Sequence, residues 1–551
     1  MSPSLPVSRA ERMAPWAVGV LFALPVLIAK YPPMSDLPLH EASVGLLRHW
    51  GDARFAPPTL YALNLGHANQ LFSLLVFGLS YVVPVAWASK LIVAGSLFLL
   101  PLAAAHFADH VGASRWTALL AAPVGMGWLF FWGLVQNMLG LVALLWLLPA
   151  IDRFAIRPTW RGVALMCEAM VLLHFAHQAM QSVACIAIAL CSLGLPLRTK
   201  ATVLRALPAA FCVALGYAAN EYAWHMAGPR HVRTPPFVLH SFFHKILSVP
   251  GVVFGGYEPY VRNLLMILAA GAIALLAAAR FRQSASPPQT LGARLHSWRF
   301  ELLALLLFAI YLAAPANVRS TTLVYHRFLP PAWAIFVVCA GIGSRAAVRL
   351  PARALCAAVP IGTVLVAWPS FADSHRAYAS LESLVDHIEV GSAVAVLHFG
   401  PDPQYRLWSP LVAEGHVVAL RGGRALFDYS QSPISPVTQR AEKQWAEPLD
   451  RFEGHPAQFR PDWDFTRFRY LLFISANPSL AYAVSLAFQN DARLIAQSGD
   501  WYLFESLLPV VPIDADDAPL PNPHPPTLGK RLKEVVGELL QAEEQSGGQA
   551  Q

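Results

Sequence analysis

Apolar runs of about 17–22 residues recur through the first two thirds of the chain, and each is long enough to cross a hydrocarbon core about 30 Å thick. These runs constrain the fold more than any other feature. The composition agrees with them: 56% of the 551 residues are hydrophobic and 13% are charged, whereas soluble domains average roughly 25% charged residues. The sequence therefore predicts a polytopic α-helical membrane protein.

We predict about eleven transmembrane helices from these runs. Their approximate bounds are 14–30, 88–107, 116–134, 138–152, 163–180, 181–197, 206–222, 262–280, 300–316, 328–344 and 354–371. Residues 69–86 are also apolar enough to span, but a span there would place the later basic loops on the wrong side of the membrane. We therefore predict a juxtamembrane or re-entrant helix at 69–86.

Basic residues set the predicted orientation. The net charge is +7, and much of the excess lies in short loops between predicted spans, which places those loops in the cytoplasm. This predicts a multi-pass protein of the inner (plasma) membrane, with the lipid bilayer as a partner and no nucleic-acid partner. Residues 1–13 are then a cytoplasmic N-terminus, and 14–372 form the transmembrane bundle. The predicted outer segments are the first loop with its juxtamembrane helices (31–87), the loops 223–261 and 317–327, and everything after 371.

The composition changes after residue 372, where short apolar runs bounded by turn residues replace the long ones. We predict a small extracytoplasmic α/β domain over 375–507, built from the following segments. Strands are predicted near 393–397, 417–420 and 470–474, a hairpin over 494–504, and helices near 376–389 and 478–489. Residues 508–551 read as a Pro-rich linker followed by an amphipathic helix and a disordered tail.

The first outer loop opens with the polar stretch Tyr31–Glu41. Pro33 and Pro38 restrict the backbone on both sides of Asp36. Apolar residues then recur at helical spacing, which predicts a helix along the membrane surface with Asp36 at its N-terminal end. A carboxylate held there is a candidate catalytic base at the mouth of the bundle. The alternative is that Asp36 only caps the helix.

Four motifs occur in order along the chain: Pro32-x-x-x-Asp36-x-Pro38-x-His40, an aromatic-Gly-x-x-Asn-like element within Phe130–Gly140, Arg327-Phe328, and Gly499-x-Trp501-x-Leu503. Together they resemble the GT-C glycosyltransferases, which include protein O-mannosyltransferases and aminoarabinose transferases. The similarity is greatest to a bacterial branch whose first outer loop carries Asp-x-Pro-x-His, and it covers most of residues 14–507. Leu37 stands where that branch usually has Tyr.

The resemblance implies a GT-C-like bundle that transfers a sugar from a polyprenyl-phosphate carrier to an envelope acceptor, whether glycan, lipid or protein, at the outer face. It implies that Asp36 acts as general base. The leaving phosphate needs cations, and Arg327 suits this role because a guanidinium binds phosphate through two parallel hydrogen bonds. His326 and Arg319 are second choices. The alternative for Arg327 is an interfacial anchor to lipid headgroups. No cofactor follows with certainty from the resemblance, and a divalent cation remains an open alternative.

Other polar residues near the predicted mouth are candidate substrate contacts. They are His40 and Glu41 beside Asp36, Gln136 and Asn137 near the end of a span, and His174 and His177, three residues apart on one predicted helix. His174 and His177 could join a metal site, but no third or fourth ligand is evident. Interhelical hydrogen bonding is the favoured interpretation for them.

Two other functions fit the sequence. A transporter or flippase for a lipid-linked or polar substrate would use His174, His177 and Glu168 as a polar path. A non-catalytic envelope assembly protein would keep the transferase fold without its activity. Ionisable groups in mid-membrane favour the transporter, whereas groups at the outer mouth favour the transferase.

Overall fold

The computed structural model describes residues 8–196, 198–227, 237–255, 257–283, 290–318, 322–343, 348–399, 412–426, 429–432, 434–440, 443, 455–513 and 526–537. In these residues a helical membrane bundle is followed by an α/β region. The helices of the bundle and its first loop are α1 (Arg9–Ile28), α2 (Leu37–Arg48), α3 (Leu71–Leu79), α4 (Val85–Val111), α5 (Arg115–Ala118), α6 (Trp128–Trp132), α7 (Val135–Ile156), α8 (Trp160–Ala176), α9 (Gln178–Ser192), α10 (Thr199–Ala227), α11 (Phe242–Phe254), α12 (Pro259–Gln283), α13 (Leu291–Ser297), α14 (Arg299–Ala313), α15 (Leu329–Ala340) and α16 (Leu350–Val385).

Six of the described helices are long and apolar enough to cross a membrane: α1, α4, α7, α10, α12 and α16. A seventh span results if α13 and α14, which meet at 66°, form one bent span. The predicted count of about eleven is therefore not confirmed. Predicted spans at 163–180, 181–197, 300–316 and 328–344 correspond to helices of 17, 15, 15 and 12 residues, below the roughly 20 residues that a straight crossing requires.

The predicted span at 116–134 is not one helix. It consists of α5, a 3₁₀ helix at Leu119–Met126 and α6. Pro123 lies inside the 3₁₀ helix, and Gly127 and Gly133 flank α6, so backbone hydrogen bonding cannot run through as a single α-helix. α5 and the 3₁₀ helix pack against α4, α15 and α16, and the 3₁₀ helix is fully buried, so that its irregular backbone is shielded from lipid.

The α/β region contains β2 (Ala393–His398), α17 (Glu414–Arg421), β3 (Arg424–Ala425), β4 (Val437–Gln439), α18 (Pro461–Asp464), β5 (Tyr470–Ile474), α19 (Pro478–Phe488), β6 (Ala492–Ser498) and β7 (Trp501–Ser506). Five strands form one sheet in the order β3-β2-β5-β7-β6. β2 runs parallel to β3 and β5, whereas β7 runs antiparallel to β5 and β6. The predicted hairpin and the predicted strands at 393–397 and 470–474 are confirmed.

The predicted strand at 417–420 is wrong, because these residues belong to helix α17. A short apolar run fits a buried strand and a buried helix equally well, and the packing decided between them. Gly415 of α17 meets α2 so closely that a β-carbon would lie 2.7 Å from the Pro38 carbonyl carbon, and a β-carbon on Gly45 of α2 would lie 2.8 Å from the Ala419 oxygen. The two helices therefore cross with their backbones in contact.

The sheet joins the two parts of the molecule. Side chains alternate between faces along a strand: Ala393, Ala395 and Leu397 of β2 point into the domain core, whereas Val394 and Val396 belong to the core of the bundle. Helix α16 runs for 36 residues from the bundle into the α/β region. There the indole nitrogen of Trp501 donates to the Ala377 carbonyl at 3.0 Å.

The first loop also packs against the α/β region. Its short strand β1 (Tyr61–Leu63) pairs antiparallel with β4. Helix α2 is buried on all sides from Leu37 to Leu47, because α17 and β4 cover the face that the bundle leaves open. The polar residues of α2 thus face protein: the Ser43 hydroxyl, for example, lies 2.5 Å from that of Ser435.

A buried charge network lies at the opposite end of the bundle. The Asp152 carboxylate on α7 accepts hydrogen bonds from Arg299 on α14, at 2.6 and 2.7 Å, and lies 2.7 Å from Nε2 of His110 on α4. Asp152 is only 1% exposed. The network therefore ties three helices together.

Near the C-terminus, residues 528–537 are helical and pack on the α/β region. Leu528 is fully buried, and Leu532 and Val535 contact the domain core. Arg531 pairs with Asp462 and Asp491. This part of the tail is thus fixed to the domain by apolar and ionic contacts.

Candidate active site

The backbone of the Asp36 loop is held by helix α6. The amides of Ser35 and Asp36 donate to the Phe131 and Trp132 carbonyls, each at 3.0 Å. Gly133 ends α6 with φ +90°, and a β-carbon there would lie 2.7 Å from the Asp36 nitrogen. Only glycine combines this backbone conformation with such a close approach. The Phe130–Gly140 motif therefore fixes the position of Asp36.

Asp36 occupies the N-cap position of α2, but its carboxylate makes no capping hydrogen bond to the helix. Pro38 lies in the first turn and lacks an amide hydrogen, which reduces the need for a side-chain cap. His40 follows one turn later, and its amide donates to the Asp36 carbonyl at 3.3 Å. At this spacing the two side chains lie on one face of the helix.

His40 is enclosed by aromatic groups and one amide. Its ring stacks on Tyr429 at a centroid distance of 4.2 Å and contacts the edge of Phe72 at 5.4 Å. The side-chain amide nitrogen of Gln136 lies 3.1 Å from His40 Nδ1, within hydrogen-bond distance. Burial lowers the pKa of His40 to about 3, so near neutral pH it is an uncharged hydrogen-bonding group.

Arg327 belongs to a 3₁₀ turn at Tyr325–Arg327, directly before α15. Its Nη1 lies 3.2 Å from Nε2 of His177, and its Nη2 donates to the Thr322 carbonyl at 3.2 Å. Nε is buried and has no partner among the described residues. A guanidinium with an unused donor in a sheltered site can bind an anion.

The structure brings Asp36 and Arg327 into one electrostatic environment. Burial lowers the pKa of Arg327, and the nearby Tyr429 and the Asp36 carboxylate oppose that shift. Burial also raises the pKa of Tyr429, and Asp36 raises it further. The carboxylate, the guanidinium and the phenol therefore share one region at the end of the bundle that faces the α/β region.

Tyr429 is a site residue that sequence reasoning missed. It lies in a 3₁₀ turn, Tyr429–Gln431, between β3 and β4, with no periodic pattern or motif around it. A single aromatic residue in an irregular segment gives no signal of its own. Only the docking of the α/β region reveals that it reaches the bundle.

His326 lies beside this region and extends it. Its ring stacks between Trp128 at 4.2 Å and Tyr325 at 3.9 Å. Burial lowers its pKa to about 3, and the nearby His240, His244, Lys245 and Arg327 lower it further. His326 is thus a neutral ring in an aromatic stack near neutral pH.

His174 and His177 do not share one helix. Helix α8 ends at Ala176, and His177 has an extended backbone and begins α9, where its Nδ1 accepts from the Ala179 amide at 3.2 Å. Asn69 fills the break: it donates to the His174 carbonyl at 3.0 Å and accepts from the Gln178 amide at 2.8 Å. The prediction of one helix over 163–180 is therefore wrong by several residues at its end.

The remaining candidates are distributed around the site. Asn137 is buried beside Gln136, and its Nδ2 has no partner in the described part of the chain. Glu41 points away from Asp36: its carboxylate lies 3.6 Å from Nδ1 of His416, whose Nε2 lies 3.2 Å from the Tyr31 hydroxyl. Both nitrogens of His174 are buried without a partner among the described residues.

Two points from the sequence gain no structural support: the candidate residue Arg319 and the metal-site alternative for His174 and His177. Arg319 lies outside the described residues. Within the described ranges, no group of three or more His, Cys, Asp or Glu side chains is arranged to hold a metal ion.

The chain has the fold of a solved membrane protein. Its structure is similar to the crystal structure of ArnT from Cupriavidus metallidurans bound to undecaprenyl phosphate, with a TM-score of 0.52, 12% identity, and coverage of 93% of this chain and 100% of that one. The apo form of the same protein gives a TM-score of 0.47 at 13% identity, covering 91% and 97%. No protein-family model matches the sequence, and no curated protein matches it. At this identity the likeness establishes the fold alone, a helical membrane bundle with a C-terminal α/β region like that of ArnT.

Proposed function

We propose that this protein is an integral membrane glycosyltransferase that moves a sugar from a polyprenyl-phosphate carrier to an envelope acceptor. The observation that carries the proposal is the placement of Asp36 and Arg327 around one region at the mouth of a bundle with the ArnT fold. ArnT is a GT-C glycosyltransferase, and its matched structure holds undecaprenyl phosphate. The shared architecture supports a lipid-phosphate donor here.

Asp36 and Arg327 act on different groups in such a transfer. Asp36 takes the proton from the acceptor nucleophile as that atom bonds to the anomeric carbon of the sugar. The bond between the anomeric carbon and the phosphate oxygen breaks, and its electron pair stays on the phosphate. Arg327 stabilises the charge that develops there through its guanidinium. The carrier leaves as polyprenyl phosphate, and the phosphate needs no proton.

The surroundings suit these roles. Gly133 and the α6 carbonyls fix the Asp36 backbone, and the carboxylate is not used as a helix cap. The neutral rings of His40 and His326 and the stacked Trp128 offer hydrogen bonds and flat apolar surfaces beside the charged pair, as a sugar requires. Gln136, Asn137 and His177 lie around the same region as further candidate contacts.

The test is a transfer assay with the full-length protein in lipid nanodiscs. Undecaprenyl-phosphoryl sugars serve as donors, and envelope membranes lacking the protein serve as the acceptor source. We expect release of undecaprenyl phosphate, and a loss of about 100-fold or more in Asp36→Asn, because general-base catalysis typically contributes that much. Asp52→Asn, a change at an exposed carboxylate of the same loop, should retain activity.

The outcomes separate the parts of the proposal. Full activity of folded Asp36→Asn would remove the catalytic base. Failure of the wild type to bind any polyprenyl-phosphate lipid would reject the enzyme class, and movement of the lipid across the nanodisc without transfer would favour a flippase.

A further inference from the structure

Tyr429 reaches the site from the α/β region, whereas Asp36, His40, Gln136 and Arg327 come from the bundle and its loops. The turn that carries it is well fixed. The side-chain amide of Gln431 donates to the Leu426 carbonyl at 3.0 Å, and the Thr438 hydroxyl donates to the Ser430 carbonyl at 2.9 Å. Ser430 itself is 1% exposed. The phenol is therefore presented by a rigid turn.

The bundle fixes the ring of Tyr429 from the other side. The ring stacks on His40 at 4.2 Å with an angle of 27° between the planes. Gln136 and Phe72 in turn hold the His40 ring. Because both partners of the stack are held, the direction of the Tyr429 hydroxyl is set before any ligand binds, and this lowers the entropic cost of a contact with it.

The hydroxyl lies in the field of both charged residues. Asp36 and Arg327 each act electrostatically on Tyr429. Burial raises the pKa of Tyr429, so the phenol keeps its proton and is both a donor and an acceptor of hydrogen bonds. It is not a second base. Its chemistry suits a neutral polyhydroxylated ligand.

In the proposed reaction, the acceptor meets Asp36 and the phosphate meets Arg327, so the group between them is the transferred sugar. We propose that Tyr429 hydrogen-bonds a hydroxyl or amino group of that sugar and so makes the α/β region part of donor recognition. This inference rests on the proposed function and adds a sugar-selecting residue to it.

The test compares the sugar-free carrier lipid with whichever of three sugar-bearing lipids the wild type binds most tightly. Equilibrium binding to the full-length protein in nanodiscs is measured with undecaprenyl phosphate and with undecaprenyl-phosphoryl mannose, glucose and 4-amino-4-deoxyarabinose. Tyr429→Phe removes only the hydroxyl. We expect about tenfold weaker binding of the sugar-bearing lipid that the wild type prefers, the effect of one lost hydrogen bond in a desolvated site, with sugar-free binding unchanged.

Tyr502→Phe is the matched control, since Tyr502 is a tyrosine of the domain core, and it should bind both lipids as the wild type does. Equal weakening for both lipids in Tyr429→Phe would place the phenol at the phosphate and overturn the proposal. Unchanged binding of the sugar-bearing lipid by Tyr429→Phe would also overturn it. So would a wild type that binds sugar-bearing lipids no more tightly than undecaprenyl phosphate. Either result leaves the carrier assignment intact. A wild type that binds neither lipid would overturn both proposals.

Discussion

Nη1 of Arg327 lies 3.2 Å from Nε2 of His177, and this contact joins the turn before α15 to the break between α8 and α9. The Ala179 amide also points at His177, 3.2 Å from Nδ1. A neutral imidazole has only one acceptor nitrogen, so the two donors compete for it. The contact between His177 and Arg327 is therefore weak, and an incoming phosphate can replace His177 as the partner of the guanidinium.

The first prediction concerns this displaceable guanidinium. Arg327→Gln should weaken binding of undecaprenyl phosphate by about 100-fold, because it removes a charge-assisted, two-pronged contact. Arg327→Lys should lose less, since it keeps the charge but not the fork. Binding titrations in nanodiscs measure both. Arg493→Gln, a change at a mostly exposed arginine of the sheet, is the control, and equal affinity for Arg327→Gln and wild type would refute the phosphate role.

The second prediction concerns Gly133. Alanine there would have to adopt φ +90° and would place a β-carbon 2.7 Å from the Asp36 nitrogen. Gly133→Ala should therefore displace the Asp36 loop and reduce transfer at least about tenfold while the protein still inserts and folds. Gly95→Ala on α4, where a β-carbon would meet nothing within 4 Å, should keep full activity. Equal rates for the two variants would show that Gly133 does not position Asp36.

The third prediction concerns stability at the far end of the bundle. Asp152→Asn leaves the buried Arg299 without its counter-charge, which should lower the free energy of unfolding by about 3–5 kcal/mol. Asp373→Asn breaks a solvent-exposed pair with Arg376 and should cost less than about 1 kcal/mol. Unfolding in mixed detergent micelles compares them. A similar small cost for both would mean that the Asp152 network does not stabilise the fold.

The fourth prediction concerns pH. The pKa of His40 falls from 6.5 to about 3 on burial, so between these values the unfolded chain binds more protons than the folded one. The stability that neutral His40 contributes is complete above about pH 6.5 and is lost as the pH falls toward 3. His40→Gln should therefore make the pH slope of the unfolding free energy shallower by up to about 1.4 kcal/mol per pH unit. Stability curves between pH 4 and about 6 check this, and parallel slopes would contradict it.

Hydropathy and proline placement predicted much of the bundle and the Asp36 loop, because a membrane allows few solutions to backbone hydrogen bonding. The helix after Asp36 was also predicted, but not its burial. In the sequence, His40 and Glu41 lie off the apolar stripe of this helix, and Ser43 lies on it. Their partners in the α/β region include Tyr429, His416 and Ser435, and local periodicity cannot identify partners so distant along the chain.

The errors at 417–420 and 116–134 and the unpredicted contact of Arg327 all involve tertiary packing. Whether the run at 417–420 becomes strand or helix depends on the close crossing of α17 with α2, which no local pattern encodes. The segment 116–134 has the composition of a span, yet it breaks at Pro123, Gly127 and Gly133, and neighbouring helices shield the irregular backbone that results. Arg327 was chosen from the Arg-Phe motif that opens a predicted span, but its contact with His177 follows from the tertiary packing alone.

The pairing of β1 with β4 has a consequence for biosynthesis. Translation delivers β1 near the start of the polypeptide, and its ladder partner emerges only after the last transmembrane helix has been made. The first loop can therefore be covered only after residue 439 of the 551 has been made, and a product terminated before that point would insert into the bilayer with the loop uncovered.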